Sequence, residues 1–311
     1  MSGAEPGASR FAYAAALTPL IFGTTYLLTT NFLPPDRPLL AATMRALPTG
    51  LVLVIGARLP PRDWLLRLLA QSVLWASGVF PLLFVAAYRL PGGVAAVINS
   101  LMPILVVVLA VPLLGARIRP LQVVAGALGV LGVALLVLRA DARLDVVGIL
   151  AMVGAVSMMG LGTVLTKRWG RPPGMNALRM TGWTFLLAGL TLLPFTLAIE
   201  GVPSSVTGRE VGGLVYLVAI SGILAYALWF WGIGQLGAAA ITFLGLLNPV
   251  MAAALGWVVL DQRLNGWQIL GALIVLVSVV LGQQLRFGRR AARDSERHRC
   301  RRVPEGRPRQ S

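Results

Sequence analysis

Cysteine and histidine are almost absent. The 311 residues hold one of each, Cys300 and His298, both in a basic stretch near the end. A lone cysteine excludes an intramolecular disulfide, and the two residues cannot make up the N and S ligands of a structural zinc site. Acidic residues are scarce too, 11 against 27 lysines and arginines, for a formal net charge of +16. None lies inside an apolar run; Asp36, Glu200, Glu210 and Asp261 stand at the edges of such runs. Proton-driven pumps usually carry carboxylates or histidines along the route, so a deeply buried proton relay is not expected. No GxxxxGK[ST] loop is present, which speaks against direct use of ATP. Intramembrane enzyme chemistry lacks a nucleophile and base. No metal and no cofactor is expected. The start, MSGAEPGASR, has neither the basic region nor the small-residue cleavage site of a secretory signal, so the first apolar segment is expected to stay as a helix.

What the chain has in abundance is apolar length. It is 57% hydrophobic and 12% charged, with mean hydropathy +0.80. A helix needs about 20 apolar residues to cross a hydrocarbon core about 30 Å thick. Ten such runs can be read, near 11–30, 38–57, 70–88, 93–114, 121–138, 147–166, 178–198, 212–235, 238–260 and 267–285. Turn-forming stretches such as LPPDRP (33–38), RLPGG (89–93) and GRPPG (170–174) separate them. The expected class is an all-α membrane protein with ten transmembrane helices.

Positive charge sets the orientation. With the N-terminus inside, 20 of the 27 basic residues fall in inner segments, six fall in outer loops, and Arg45 lies within a span. Both termini are therefore expected in the cytoplasm, and the location is the inner (plasma) membrane. The tail beyond residue 286 is arginine-rich, with Phe287 as its sole aromatic residue. It is read as a disordered anchor attracted to anionic lipid rather than as a nucleic-acid arm.

The chain repeats itself. An offset of 146 pairs Leu90 with Leu236, Leu101 with Leu247, Pro103 with Pro249, Leu114 with Leu260, Arg117 with Arg263 and Gln122 with Gln268. An offset of 137 pairs Leu28 with Leu165, Thr29 with Thr166 and Pro35 with Pro172. Five spans separate each pair. Because five is odd, the copies run oppositely through the membrane, an inverted 5+5 repeat of the kind that places a binding site near the midplane of secondary transporters. The expected division is 1–10 as a cytoplasmic N-terminus, 11–140 and 141–286 as the two repeats, and 287–311 as the tail.

The stretches AYRLPGGVAAVINSLMPILVVVLAVPLLG (87–115) and WFWGIGQLGAAAITFLGLLNPVMAAALGWVVL (229–260) resemble the two EamA repeats of the drug/metabolite transporter superfamily. FGTTYLLTTNFLPPDRPLLAATMRALPTG (22–50) is similar to its first two helices. The first half is most similar to the PecM-like subgroup, linked to pigment efflux. The resemblance implies ten helices and movement of small organic solutes, often outward. The family commonly ends its fourth and ninth helices with Gly-Glu; here those positions hold Ala116 and Gln262, with Asp261 one residue early.

Several residues are candidates for the site. Pro103 and Pro249 would loosen spans four and nine beside a central pathway, since a proline-freed carbonyl in a membrane is tolerated where it is buried or lines a cavity. Ala96, Asn99 and Pro103 share a helical face, as do Thr242, Gly245 and Pro249. Asn99, Ser100, Thr242 and Asn248 put polar groups where lipid cannot satisfy them, in the cavity or as helix–helix contacts. Arg45 lies ~10 Å inside the second span by helical rise and must face the interior or water. It either anchors structure or binds an anionic group on the solute. Trp75 and Tyr226 are read as cavity rings, with Thr24, Thr25 and Tyr26 as polar candidates in the first span. Trp229 and Trp231 are read as part of an interfacial belt. The glycines of 126–136 and 271–282 are packing elements at the back of each repeat, with a homodimer face as the alternative.

The expected function is secondary export of small amino-acid-like or aromatic metabolites by alternating access, with membrane lipid and a small solute as partners and no nucleic acid. The alternatives are a lipid-headgroup flippase or small multidrug exporter of the same architecture, and a membrane scaffold or signalling partner acting through its tail.

Overall fold

The structure is a computed structural model and describes residues 15–24, 37–90, 92–137, 145–201, 207–259 and 265–282. Those residues form helices α1 (Ala15–Thr24), α2 (Pro38–Val54), α3 (Arg62–Ser72), α4 (Val79–Arg89), α5 (Gly92–Asn99), α6 (Met102–Leu114) and α7 (Pro120–Val137). The second half holds α8 (Val146–Trp169), α9 (Ala177–Ile199), α10 (Gly208–Tyr216), α11 (Ala225–Leu236), α12 (Ala238–Gly245), α13 (Leu247–Val259) and α14 (Gly266–Gly282). Seven helical stretches are long and apolar enough to cross a membrane, and three shorter apolar helices bring the spans among the described residues to ten. The outward surface is apolar: Leu66 is 77% exposed, Val258 72% and Trp267 68%. A monomeric soluble protein rarely shows such a surface, whereas lipid covers it at no cost.

Four of the ten spans are not simple α-helices, and they come in two pairs. The third span joins α3 to α4 through a π-helical stretch, Val73–Ser77, and the eighth joins α10 to α11 through another, Leu217–Leu224. Adding the repeat offset of 146 to the first lands inside the second. The fourth span breaks between α5 and α6 at Ser100–Leu101, and the ninth breaks between α12 and α13 at Leu246, again 146 residues after Ser100. The irregularities are thus duplicated along with the sequence.

Both irregularities lie just ahead of a proline. Pro103 is the second residue of α6 and Pro249 the third of α13. In a first turn the missing N–H would have no intrahelical partner anyway, so proline is well accommodated there. At Leu101 and Leu246 the backbone stays near helical values (φ −73°, ψ −15° and φ −65°, ψ −15°), so each proline lies just past a local loosening of a span that continues through it.

The second and fifth spans pack against their repeat counterparts, the seventh and tenth. α2 meets α9 along glycines: a Cβ on Gly189 would fall 2.6 Å from Leu47 Cα, and one on Gly182 would fall 2.7 Å from Leu53 Cβ. Close backbone approach of this sort is how membrane helices associate without a hydrophobic driving force. At one end of the pair the Thr43 and Thr196 hydroxyls are 2.6 Å apart. There the Glu200 carboxylate accepts from Leu39 N at 2.7 Å and Leu40 N at 2.8 Å. Arg37, the residue preceding α2, gives no side-chain cap, so a carboxylate from the other half caps α2 in its place. α7 meets α14 where Gly132 faces Gly271, with Ser278 Oγ donating to Ala125 O at 2.6 Å. The glycines of these two helices pack against neighbours within the chain.

Candidate functional site

The eighth span explains what surrounds Arg45. A π-wound segment bonds residues five apart rather than four, so it displaces carbonyls from their usual partners, and such segments are frequent at functional sites. Side chains from the first two spans answer them. Thr18 Oγ1 donates to Ala225 O at 3.3 Å, and Thr49 Oγ1 donates to Val218 O at 3.5 Å. Arg45 Nη2 donates to Ser221 Oγ at 2.8 Å and to Ser221 O at 3.3 Å. Val218 and Ser221 lie within the π-wound segment, and Ala225 opens the regular helix just after it.

Three rings close around the same guanidinium. Its Cζ lies 5.1 Å from the centroid of Tyr226, 5.7 Å from Phe22 and 5.7 Å from Phe80. A cation over an aromatic face gains about 0.5–2 kcal/mol, more when water is excluded. Spans one, two, three and eight therefore converge on one charge, and both halves contribute. The Arg45 Nε proton is buried with no acceptor among the described residues.

Beyond Tyr226 the rings continue. Trp75 lies edge-on to Phe230 at 5.3 Å, to Trp229 at 5.9 Å and to Tyr226 at 6.4 Å; Phe185 contacts Tyr226 at 4.5 Å. Trp229 is only 4% exposed. It belongs to this cluster and not to an interfacial belt, because its packing against Trp75 and Phe22 buries it. The indole nitrogens of Trp75 and Trp229 have no acceptor among the described residues.

Other sequence candidates are placed differently. Thr24 Oγ1 donates to Ile21 O at 2.7 Å and sits 2.5 Å from the Tyr216 hydroxyl, tying α1 to α10. Ser100 Oγ donates to Val97 O at 2.6 Å, and Thr242 Oγ1 donates to Ala239 O at 2.8 Å, so both hydroxyls serve their own helix. Asn99 ends α5, half-buried, and Asn248 is half-buried where α13 meets α1. Pro103 is buried and Pro249 half-buried. Thr25, Tyr26, Asp261, Gln262 and the tail lie outside the described residues.

Phe22, Phe185 and Ser221 escaped the sequence reading. For Ser221 a signal was available: each π stretch carries a Ser-Gly pair at its end or middle, Ser77-Gly78 and Ser221-Gly222, and such pairs mark helix irregularities. Phe22 and Phe185 gave none, being ordinary apolar residues in apolar helices.

A family model described as the EamA-like transporter family matches residues 10–138 and 146–282. Protein PecM of Dickeya dadantii (strain 3937) is 41% identical over 277 residues, covering 89% of this chain and 93% of its own. A probable amino-acid metabolite efflux pump of Salmonella typhimurium is 24% identical, covering 86% and 93%. The uncharacterized inner membrane transporter YedA of Escherichia coli (strain K12) is 28% identical, covering 86% and 89%. One crystal structure superimposes with a TM-score of 0.74 at 18% identity, over 91% of this chain and 99% of that one, which shows a common fold.

Proposed function

This chain belongs to the EamA-like transporter family, and from that premise we propose that it exports small organic solutes by alternating access between its two repeats. It is a multi-pass membrane transporter and not an enzyme; its partner is a small-molecule solute. Residues 11–140 and 141–286 form the two moving halves, with both termini and the basic tail on the cytoplasmic side. The solutes are amino-acid-like or aromatic, in keeping with a relative whose name describes amino-acid metabolite efflux.

The observation that carries this reading is Arg45. Its charge is enclosed by Phe22, Phe80 and Tyr226 and held by Ser221, with no carboxylate against it among the described residues. Arg45 is half-buried, and a guanidinium in such a site favours an oxygen acceptor as a partner. A solute bringing an oxygen acceptor completes the set, and the rings of Trp75, Tyr226 and Trp229 flank its apolar body. Asn99, Asn248 and the turns ahead of Pro103 and Pro249 line the route beside it, and the loosened backbone there lets each half flex as the site switches sides.

The test is uptake into inside-out vesicles from cells expressing the chain, using radiolabelled amino acids, nucleosides and aromatic metabolites. Gradient-dependent accumulation of at least one, lost in Arg45→Gln at equal membrane abundance, is the expected result. No accumulation of any of them overturns it.

A further inference from the structure

Arg45 is not the only cationic station on the aromatic cluster. We propose that the cavity between α8, α9 and α11 is a loading site for an anionic aromatic solute, reached before Arg45 on the way out; the proposal rests on the export reading above.

The cavity measures about 380 Å³ and has a buried floor and an exposed rim. Its volume falls within the range of small-molecule sites, about 300–1,000 Å³. Lys167 and Arg171 stand on the rim, and Thr166, Met180 and Phe230 form part of the floor. Lys167 Nζ donates to Gly234 O at 2.9 Å, which brings its charge across from α8 to α11. No aspartate or glutamate is among the lining residues.

Behind the floor the polar groups are donors that want acceptors. Thr166 Oγ1 lies 2.8 Å from Gln71 Oε1 and 2.7 Å from Gly162 O, so its hydroxyl and the Gln71 oxygen are occupied. The Gln71 Nε2 group, on a residue 1% exposed, has no acceptor among the described residues. One turn further along the same helical face, Trp75 Nε1 packs against Gly162 in the same condition. The two cations at the rim are complementary to an anionic ligand. A cationic solute would meet repulsion at the rim.

Rings connect this site to the next. Phe230 lines the cavity, lies 5.3 Å from Trp75 and 6.4 Å from Tyr226, and Tyr226 in turn lies 5.1 Å from the Arg45 guanidinium. A flat solute would keep contact with an aromatic face along the whole transfer, while its anionic head passes from Lys167 and Arg171 to Arg45.

The experiment uses the full chain in proteoliposomes and in detergent, with indole-3-acetate as the anionic probe and tryptamine as the cationic one. The variant is Lys167→Gln/Arg171→Gln; both residues are exposed, so folding is spared. Flux is corrected for protein-free vesicles, and equilibrium binding is measured separately. The expected result is a KM for indole-3-acetate about fivefold higher with kcat unchanged. The difference should shrink at high salt, and tryptamine should bind weakly to both proteins. An unchanged KM, or tryptamine bound as tightly as indole-3-acetate, overturns the loading site and leaves export standing if other solutes move. Anion binding that weakens in the double variant, with no flux in either protein, supports the loading site and counts against export.

Discussion

Arg45 of the second span and Ser221 of the eighth are joined twice, guanidinium to hydroxyl at 2.8 Å and to carbonyl at 3.3 Å, across 176 positions of sequence. The contact links a charge from one repeat to the π-wound turn of the other. An arginine at this depth costs at least ~2.5 kcal/mol. Two acceptors and three aromatic faces offset that cost with no carboxylate against it among the described residues.

Arg45→Gln should lower kcat/KM for a transported solute at least about tenfold, the scale of one lost hydrogen bond to a charged group. Arg45→Lys keeps the charge but loses the planar fork, and should fall between the two. Initial rates in vesicles matched for protein abundance check this, and equal rates for all three proteins would remove Arg45 from the site.

Glu200→Ala strips two acceptors from the first turn of α2. It should destabilise the protein by about 1–2 kcal/mol. Glu200→Gln retains one amide oxygen and should lose roughly half as much. Thermal unfolding in detergent gives the order wild type, Gln, Ala.

Gly189→Ala would place a methyl group against the Leu47 backbone, where the neighbour cannot rotate aside. A loss of about 1–3 kcal/mol is expected from overpacking. The same substitution at Gly212, where nothing lies within 4 Å, should be neutral or slightly stabilising. The pair separates steric contact from the general effect of removing a glycine.

Much of the architecture could be read from apolar length and the 146-residue offset, because a lipid environment requires long apolar runs and duplication leaves paired prolines. Arg45 stood out for the same reason: charge is rare at that depth. The ring box did not, since Phe22 and Phe185 look no different from residues facing lipid, and only packing tells them apart. Trp229 reads as a belt residue because tryptophans near span ends commonly mark the interface, whereas its packing against Trp75 and Phe22 buries it. The paired prolines could be read from the sequence, but the turns at which the spans loosen, Ser100–Leu101 and Leu246, could not.

Pro103→Ala should change stability by less than about 1 kcal/mol, because a first-turn proline satisfies no ladder and breaks none. If the proline itself held the fourth span open, removing it would instead straighten the helix and raise the melting temperature markedly.

Removing residues 290–311 should leave flux per inserted protein unchanged, with weaker association with anionic lipid. Loss of the cellular phenotype with flux intact would favour the scaffold or signalling alternative.

The two π-wound turns hold a consequence of their own. Each carries a surplus residue, and taking one residue out of the winding rotates everything beyond it by about 100° and moves it about 1.5 Å along the axis. In the eighth span that rotation would carry Tyr226, Trp229 and Phe230 together, as a key turns its bit.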